Sequence, residues 1–249
     1  MDVRITGNGP LDPFLGARDL LATERNLDLP VVVRIEDDPD ERTIVGHYDD
    51  RHELVVSRRA ATSAMAREIA LHEFAHMARY EEGHPSHRQS TEEVLFLALA
   101  GRQVERRKLT HCYQIANHMK DIYADDITLD IGPTAKLVSF MESSLASALV
   151  DSPPTAPGGW RRQTGAADPD ITAVNAAFAL ALLERHDAIE SDHRLYDLAD
   201  AAASDAPGIS LTAFKHQFRS LAADPDESEY RKALVETTRE YAIDDRAAD

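Results

Sequence analysis

The sequence contains very little cysteine and no long apolar run. Cys112 is its single cysteine, which excludes an internal disulfide framework and indicates a reducing compartment. No stretch reaches the roughly 18–20 apolar residues that a membrane-spanning helix needs. The first residues lack the basic flank and the apolar segment of a signal peptide. We therefore expect a cytoplasmic protein with no membrane partner.

Basic residues, and lysine above all, are also scarce. The chain has 44 acidic and 27 basic residues, which gives a formal net charge of −17, and only five of the basic residues are lysines. This balance disfavours nucleic-acid binding, because neutralising phosphates requires clustered lysine and arginine. An acidic, lysine-poor surface resembles that of proteins from salt-loving archaea, whose hydrated carboxylates maintain solubility. The charge therefore predicts a halophilic protein without a nucleic-acid partner, and it does not identify a substrate.

The pattern of apolar residues predicts an α+β chain that is mostly helical, and the apolar fraction of 43% is enough for a sizeable core. Strands are expected at 30–35, 43–48 and 53–56, and helices at about 12–21, 62–80, 110–129 and 136–149. The second and third strands are separated by a short acidic turn, which favours an antiparallel hairpin. We expect a small antiparallel sheet that packs on the helix at 62–80.

The clearest interruption of these patterns is a segment rich in proline and glycine at residues 151–159. It predicts a linker between a metal-binding catalytic domain at residues 1–150 and a helical C-terminal region at residues 160–249. The C-terminal region shows amphipathic helices and no pattern of metal ligands.

The residues that indicate a chemistry are His72-Glu73-Phe74-Ala75-His76, an H-E-x-x-H motif. Positions four apart on a helix lie about 40° apart in projection, so both imidazoles reach one point in space. Neutral imidazole suits zinc, and Glu73 is placed to accept a proton from a zinc-bound water without binding the metal. The motif predicts a Zn²⁺ site with Glu73 as general base. The competing interpretation is a helix with two partly exposed histidines and an incidental glutamate.

A hairpin, an H-E-x-x-H helix and later helices that supply further ligands together resemble the zincin metallopeptidases, in particular their small gluzincin-like members. The resemblance covers roughly residues 30–150, and the chain also looks like an uncharacterised archaeal zincin-like family. It implies the zincin fold and a zinc peptidase that acts on a peptide or protein substrate. The alternative is a catalytically silent zincin-like scaffold that binds metal for structure, or a regulatory protein that interacts with a partner. Glu73 favours the enzyme, because a purely structural site needs no base beside its ligands.

The third protein ligand is not supplied by the motif itself. The metzincin pattern fails, because Arg79 and Glu82 occupy its glycine and third-histidine positions. The segment from Asp121 to Asp125 resembles the E-x-x-x-D segment of the membrane-associated zincins of the HtpX type. By that resemblance Asp121 would bind zinc, and Asp125 would hydrogen-bond a histidine of the motif. This chain has Asp where that family has Glu, and it lacks that family's transmembrane helices.

Other assignments remain open at the level of the sequence. Asp121 and Asp125 share a face of the predicted helix with Gln114 and His118, and an ordinary solvated face would look the same. The other candidate ligands are His84, His87, Glu92, Glu93, Glu105 and His118. The candidates for stabilising charge in the transition state are Tyr113, Tyr123, His84 and His87.

Overall fold

The computed structural model describes residues 1–151 and 168–243. Within these ranges the chain is α+β and mostly helical, which confirms the predicted fold class. The strands are β1 (Val3–Gly7), β2 (Val31–Glu36), β3 (Ile44–His47) and β4 (His52–Ser57). The helices are α1 (Asp12–Leu21), α2 (Arg58–Ala61), α3 (Ala66–Glu81), α4 (Pro85–Arg88), α5 (Thr91–Leu99), α6 (Arg106–Ile131), α7 (Thr134–Asp151), α8 (Pro169–Arg185), α9 (Arg194–Asp205), α10 (Leu211–Arg219) and α11 (Glu227–Ala242). None of the helices in these ranges is both long and apolar enough to cross a membrane.

The chain divides into two compact units. The first consists of Met1–Arg88 and Tyr123–Pro133, and the second of Gln89–Ile122 and Thr134–Asp249 in their described parts. Helix α6 therefore contributes residues to both units. The predicted linker at 151–159 lies outside the described residues except for Asp151, which ends α7, so the boundary between 1–150 and 160–249 stays a prediction.

The sheet of the first unit is mixed, with strand order β1-β2-β4-β3. The predicted hairpin is confirmed, because β3 pairs with β4 antiparallel, with Ile44 opposite Val55. The prediction of an antiparallel sheet is wrong, because β1 pairs with β2, and β2 with β4, in parallel. The short strand β1 was not predicted. Helix α1 lies between β1 and β2 as a crossover, and such a connection returns the chain in the same direction.

The core of the first unit lies between the sheet and helices α1 and α3, with a contribution from the end of α6. Its large, fully buried side chains include Phe14, Leu21, Leu54, Phe74 and Met77. The motif helix begins at Ala66, four residues later than predicted, because Ser57 caps the separate turn α2 by accepting a hydrogen bond from the Ala60 amide. Packing of one side of α3 into the core leaves the motif histidines half-buried on another side.

The end of α3 determines where the next histidines lie. Gly83 has a φ of +69°, a left-handed conformation that favours glycine. The Gly83 amide donates to the Tyr80 carbonyl and the His84 amide to the Arg79 carbonyl, each at 3.0 Å. These two bonds define a Schellman motif. It reverses the chain at once, so that α4 lies beside the helix it follows.

The second unit is helical in its described part, with α8 at its centre. Helix α8 packs against α7, α9 and α10, and α5 packs against α11. Asp168 caps α8 by accepting a hydrogen bond from the Asp170 amide, and Pro169 follows in the first turn. The side chains that fill the space around α8 include Phe178, Phe214 and Phe218.

Candidate metal centre

The two histidines of the motif face each other on adjacent turns of α3. Nε2 of His72 lies 3.0 Å from Nε2 of His76, and the ring centroids are 4.5 Å apart. Both rings are half-buried, with 28% of the His72 side chain exposed. This is the convergence that the spacing of the motif predicts, and it presents two imidazole nitrogens to one small region.

Asp125 supports His72 from behind. Its Oδ1 lies 2.7 Å from Nδ1 of His72 and also accepts a hydrogen bond from the Thr128 hydroxyl at 3.0 Å. An ionised carboxylate can only accept, so Nδ1 of His72 carries the proton and Nε2 presents its lone pair. The expected contact between Asp125 and a histidine of the motif is therefore present. Asp125 is only 4% exposed, so the interpretation of this carboxylate as part of a solvated face is wrong.

Asp121 lies one helical turn before Asp125 on α6 and is half-buried. One carboxylate oxygen of Asp121 and one ring nitrogen each of His72 and His76 all lie within 4.8 Å of one another. No other group of three possible metal ligands is found in the described part of the chain. Oδ2 of Asp121 also lies 3.6 Å from Nδ1 of His118. The structure thus brings together the three residues that the sequence proposed as ligands.

His84 and His87 lie on the opposite side of the His76 ring from its Nε2. Nε2 of His87 is 2.7 Å from Nδ1 of His76, and Nδ1 of His87 is 2.7 Å from the Ser86 hydroxyl. The same hydroxyl is 2.7 Å from Nδ1 of His84, whose ring packs 4.5 Å from that of Tyr123. Neither histidine can therefore complete a site formed by the two Nε2 atoms of the motif. From the sequence both residues were candidate ligands, and the chain of hydrogen bonds that they form was not predicted.

The group of three possible ligands does not include the other candidates that the sequence offered. Glu92, Glu93 and Glu105 are exposed, and Tyr113 is 38% exposed. Burial lowers the pKa of Lys120, the neighbour of Asp121, although the Glu92 and Asp121 carboxylates oppose that shift. Burial also raises the pKa of the Cys112 thiol to about 11, so Cys112 is protonated at neutral pH and is not a thiolate ligand.

Residues 1–243 match DUF5781, a family of unknown function. The chain belongs to the DUF5781 family. No curated protein and no solved structure matches it. The chemistry of this DUF5781 member must therefore be inferred from its own residues.

The donor atoms in this DUF5781 protein fit a zinc ion. Two neutral imidazoles and one carboxylate form a set of three protein ligands that suits Zn²⁺ and leaves a coordination position open. Each histidine has its second ring nitrogen held by a protein group, as ligand histidines usually do. Glu73 lies within the same turn of α3 and is half-buried.

Proposed function

We propose that this chain is a zinc-dependent hydrolase that cleaves peptide bonds with Glu73 as general base. The observation that carries the proposal is the approach of the two Nε2 atoms to 3.0 Å, with each ring supported from behind by its other nitrogen. Helical spacing alone brings the two rings near each other. The hydrogen bonds of both Nδ1 atoms to Asp125 and His87 do not follow from that spacing, and ligand histidines are usually held in this way. The peptidase assignment rests on the H-E-x-x-H motif and on its resemblance to zincins.

Each residue of the site would have its own role in the proposed reaction. His72, His76 and Asp121 would hold the metal, and Asp125 keeps the His72 ring in the tautomer that exposes Nε2. Bound zinc supplies Lewis acidity that polarises a carbonyl and lowers the pKa of water. The Glu73 carboxylate accepts the proton of the attacking water and returns it to the nitrogen of the departing amine. A structural zinc site would need no such base.

The proposal is tested with the full-length protein loaded with zinc and incubated with a peptide library made from denatured proteins, with mass spectrometry to detect new termini. Replacement of Glu73 by Gln keeps the shape of the side chain but removes the base. We expect this variant to retain one zinc per chain and to lose activity by roughly 10²–10⁴-fold. Glu240→Gln, an exposed position on α11, is the matched control and should be as active as the wild type.

Two outcomes would count against this function. If Glu73→Gln cleaves at the rate of the wild type, Glu73 is not the base. If the zinc-loaded wild type cleaves no peptide in dilute or in molar potassium chloride, the catalytically silent scaffold is the better description.

A further inference from the structure

The group that holds Nδ1 of His76 differs from the one that holds Nδ1 of His72. Nδ1 of His72 meets the Asp125 carboxylate, whereas Nδ1 of His76 meets the first of a chain of neutral groups. We propose that His87 is a positioning residue that fixes the tautomer and orientation of His76, and that the backbone amide of Ser86 sets the direction of this relay. The relay consists of His76, His87, Ser86 and His84. The proposal rests on the proposed zinc site.

The direction of the relay follows from one group that can only donate. The backbone N–H of Ser86 lies 3.3 Å from Nδ1 of His84 and donates to it, so this nitrogen is an acceptor. The Ser86 hydroxyl, 2.7 Å from the same nitrogen, must then also donate to it. A hydroxyl has a single proton, so toward His87 the Ser86 oxygen is an acceptor, and Nδ1 of His87 must be the donor across their 2.7 Å contact.

The same reasoning gives the protonation of His76, whose Nε2 faces the proposed metal. With its proton on Nδ1, neutral His87 has a lone pair on Nε2, and Nδ1 of His76 donates to it at 2.7 Å. Nε2 of His76 therefore carries a lone pair as well. Asp125 independently imposes the same tautomer on His72. Two lone pairs thus face each other at 3.0 Å, an arrangement that a cation between them stabilises and that is repulsive without one.

The surroundings of the relay keep it in place. Ser86 is fully buried and His84 is 6% exposed, so water has little access to compete for their hydrogen bonds. The Schellman turn at Gly83 holds α4 close to the end of α3. A buried hydrogen-bonded chain of this kind restrains the His76 ring before any metal arrives, which lowers the entropy lost on binding.

Zinc affinity of the full-length protein, measured by competition with a chromogenic chelator, tests the role of His87. His87→Leu removes the acceptor and should weaken zinc binding by roughly 10–100-fold. His87→Gln places an amide oxygen near the position of Nε2 and should restore most of the affinity. Ser86→Ala deletes only the hydroxyl and should weaken binding less than His87→Leu. His216→Leu and His216→Gln, at an exposed position on α10, are the matched controls and should not change it.

A second measurement reads the tautomers directly. In ¹⁵N spectra of the histidine rings, His87 should be protonated on Nδ1 and His84 on Nε2, with or without zinc. Wild-type affinity in both His87→Leu and Ser86→Ala, or a His87 ring protonated on Nε2, would overturn the proposal. If His87→Leu fails to fold, Ser86→Ala and the spectra decide the matter. A wild type that binds no zinc refutes the proposed function, whereas the spectra still test the direction of the relay.

Discussion

Helix α3 contributes to two histidine clusters, and they differ in what the ring nitrogens meet. At the end of the helix, Glu81 accepts hydrogen bonds from Nε2 of His52 at 3.0 Å and from the backbone amides of Asp28 and Leu29. Nδ1 of His52 is 2.9 Å from Nδ1 of His47. Both nitrogens of this fully buried ring are thus used within the protein. The cluster joins α3 to the hairpin.

Each histidine of the motif has its Nδ1 held by a residue outside the pair. His72 is held by Asp125 and His76 by His87, and the remaining nitrogens point toward each other. If the proposed zinc site is correct, what the second ring nitrogen meets distinguishes the structural histidine His52 from the two proposed metal ligands. The exposed fraction of a histidine side chain is a weaker guide to its role, because it does not show which group the second ring nitrogen contacts.

The largest effect that separates the two clusters should be on metal content. We expect the wild type to bind about one zinc per chain, and His72→Ala, His76→Ala or Asp121→Ala to weaken binding by more than roughly 100-fold, since each would remove a ligand. His52→Leu should bind as the wild type does. Elemental analysis and chelator competition measure this. Equal zinc content in the wild type and the motif variants would remove the distinction between the clusters.

A smaller effect is expected from the group behind His72. Asp125→Ala should weaken zinc binding by roughly 10–100-fold, because the His72 ring loses the acceptor that fixes its tautomer. Asp130→Ala, at an exposed position on the same helix, is the control. If both variants bind zinc equally well, Asp125 has only a structural role.

Substitutions in the cluster of His47, His52 and Glu81 should change the stability of the protein and not its metal binding. Glu81→Gln weakens hydrogen bonds that are assisted by charge and should lower the free energy of unfolding by about 1–3 kcal/mol. Its zinc affinity should stay unchanged. Urea unfolding of the metal-free protein gives the first quantity, and chelator competition gives the second. A loss of zinc affinity as large as that of Asp125→Ala would show that the two clusters act as one.

The smallest effect concerns the whole surface and should not distinguish the clusters. The net charge of −17 means that surface carboxylates repel one another, and salt screens this repulsion. The melting temperature should therefore rise by a few degrees between dilute and molar potassium chloride. The relative order of the variants should be the same at both salt concentrations. A melting temperature that is flat or falls would contradict the halophilic interpretation.

The parts of this architecture that depend on neighbouring residues could be predicted from the sequence. The convergence of His72 and His76 follows from helical spacing, and the β3–β4 hairpin follows from its turn. Asp125 was found through a resemblance, since nothing local relates it to a histidine 53 residues away. Strand β1 was missed because five residues give little periodicity, and the parallel β1–β2 pair was missed with it. The parallel β2–β4 pair was missed because β2 lies next to β4 and not next to β3, the strand that follows it in the sequence. The relay was missed because it depends on the left-handed turn at Gly83, whose direction apolar patterning does not encode.

The reversal at Gly83 also affects how the centre assembles. His76 and His87 are 11 residues apart in sequence, whereas His72 and Asp125 are 53 apart. By the length dependence of loop closure, bringing the second pair together costs about 1.4 kcal/mol more chain entropy than the first. The support of His76 is thus a local contact that forms with its helix. The support of His72 forms only when the end of α6 docks. A metal ion that requires both would favour this docked state and couple ligand binding to folding of the first unit.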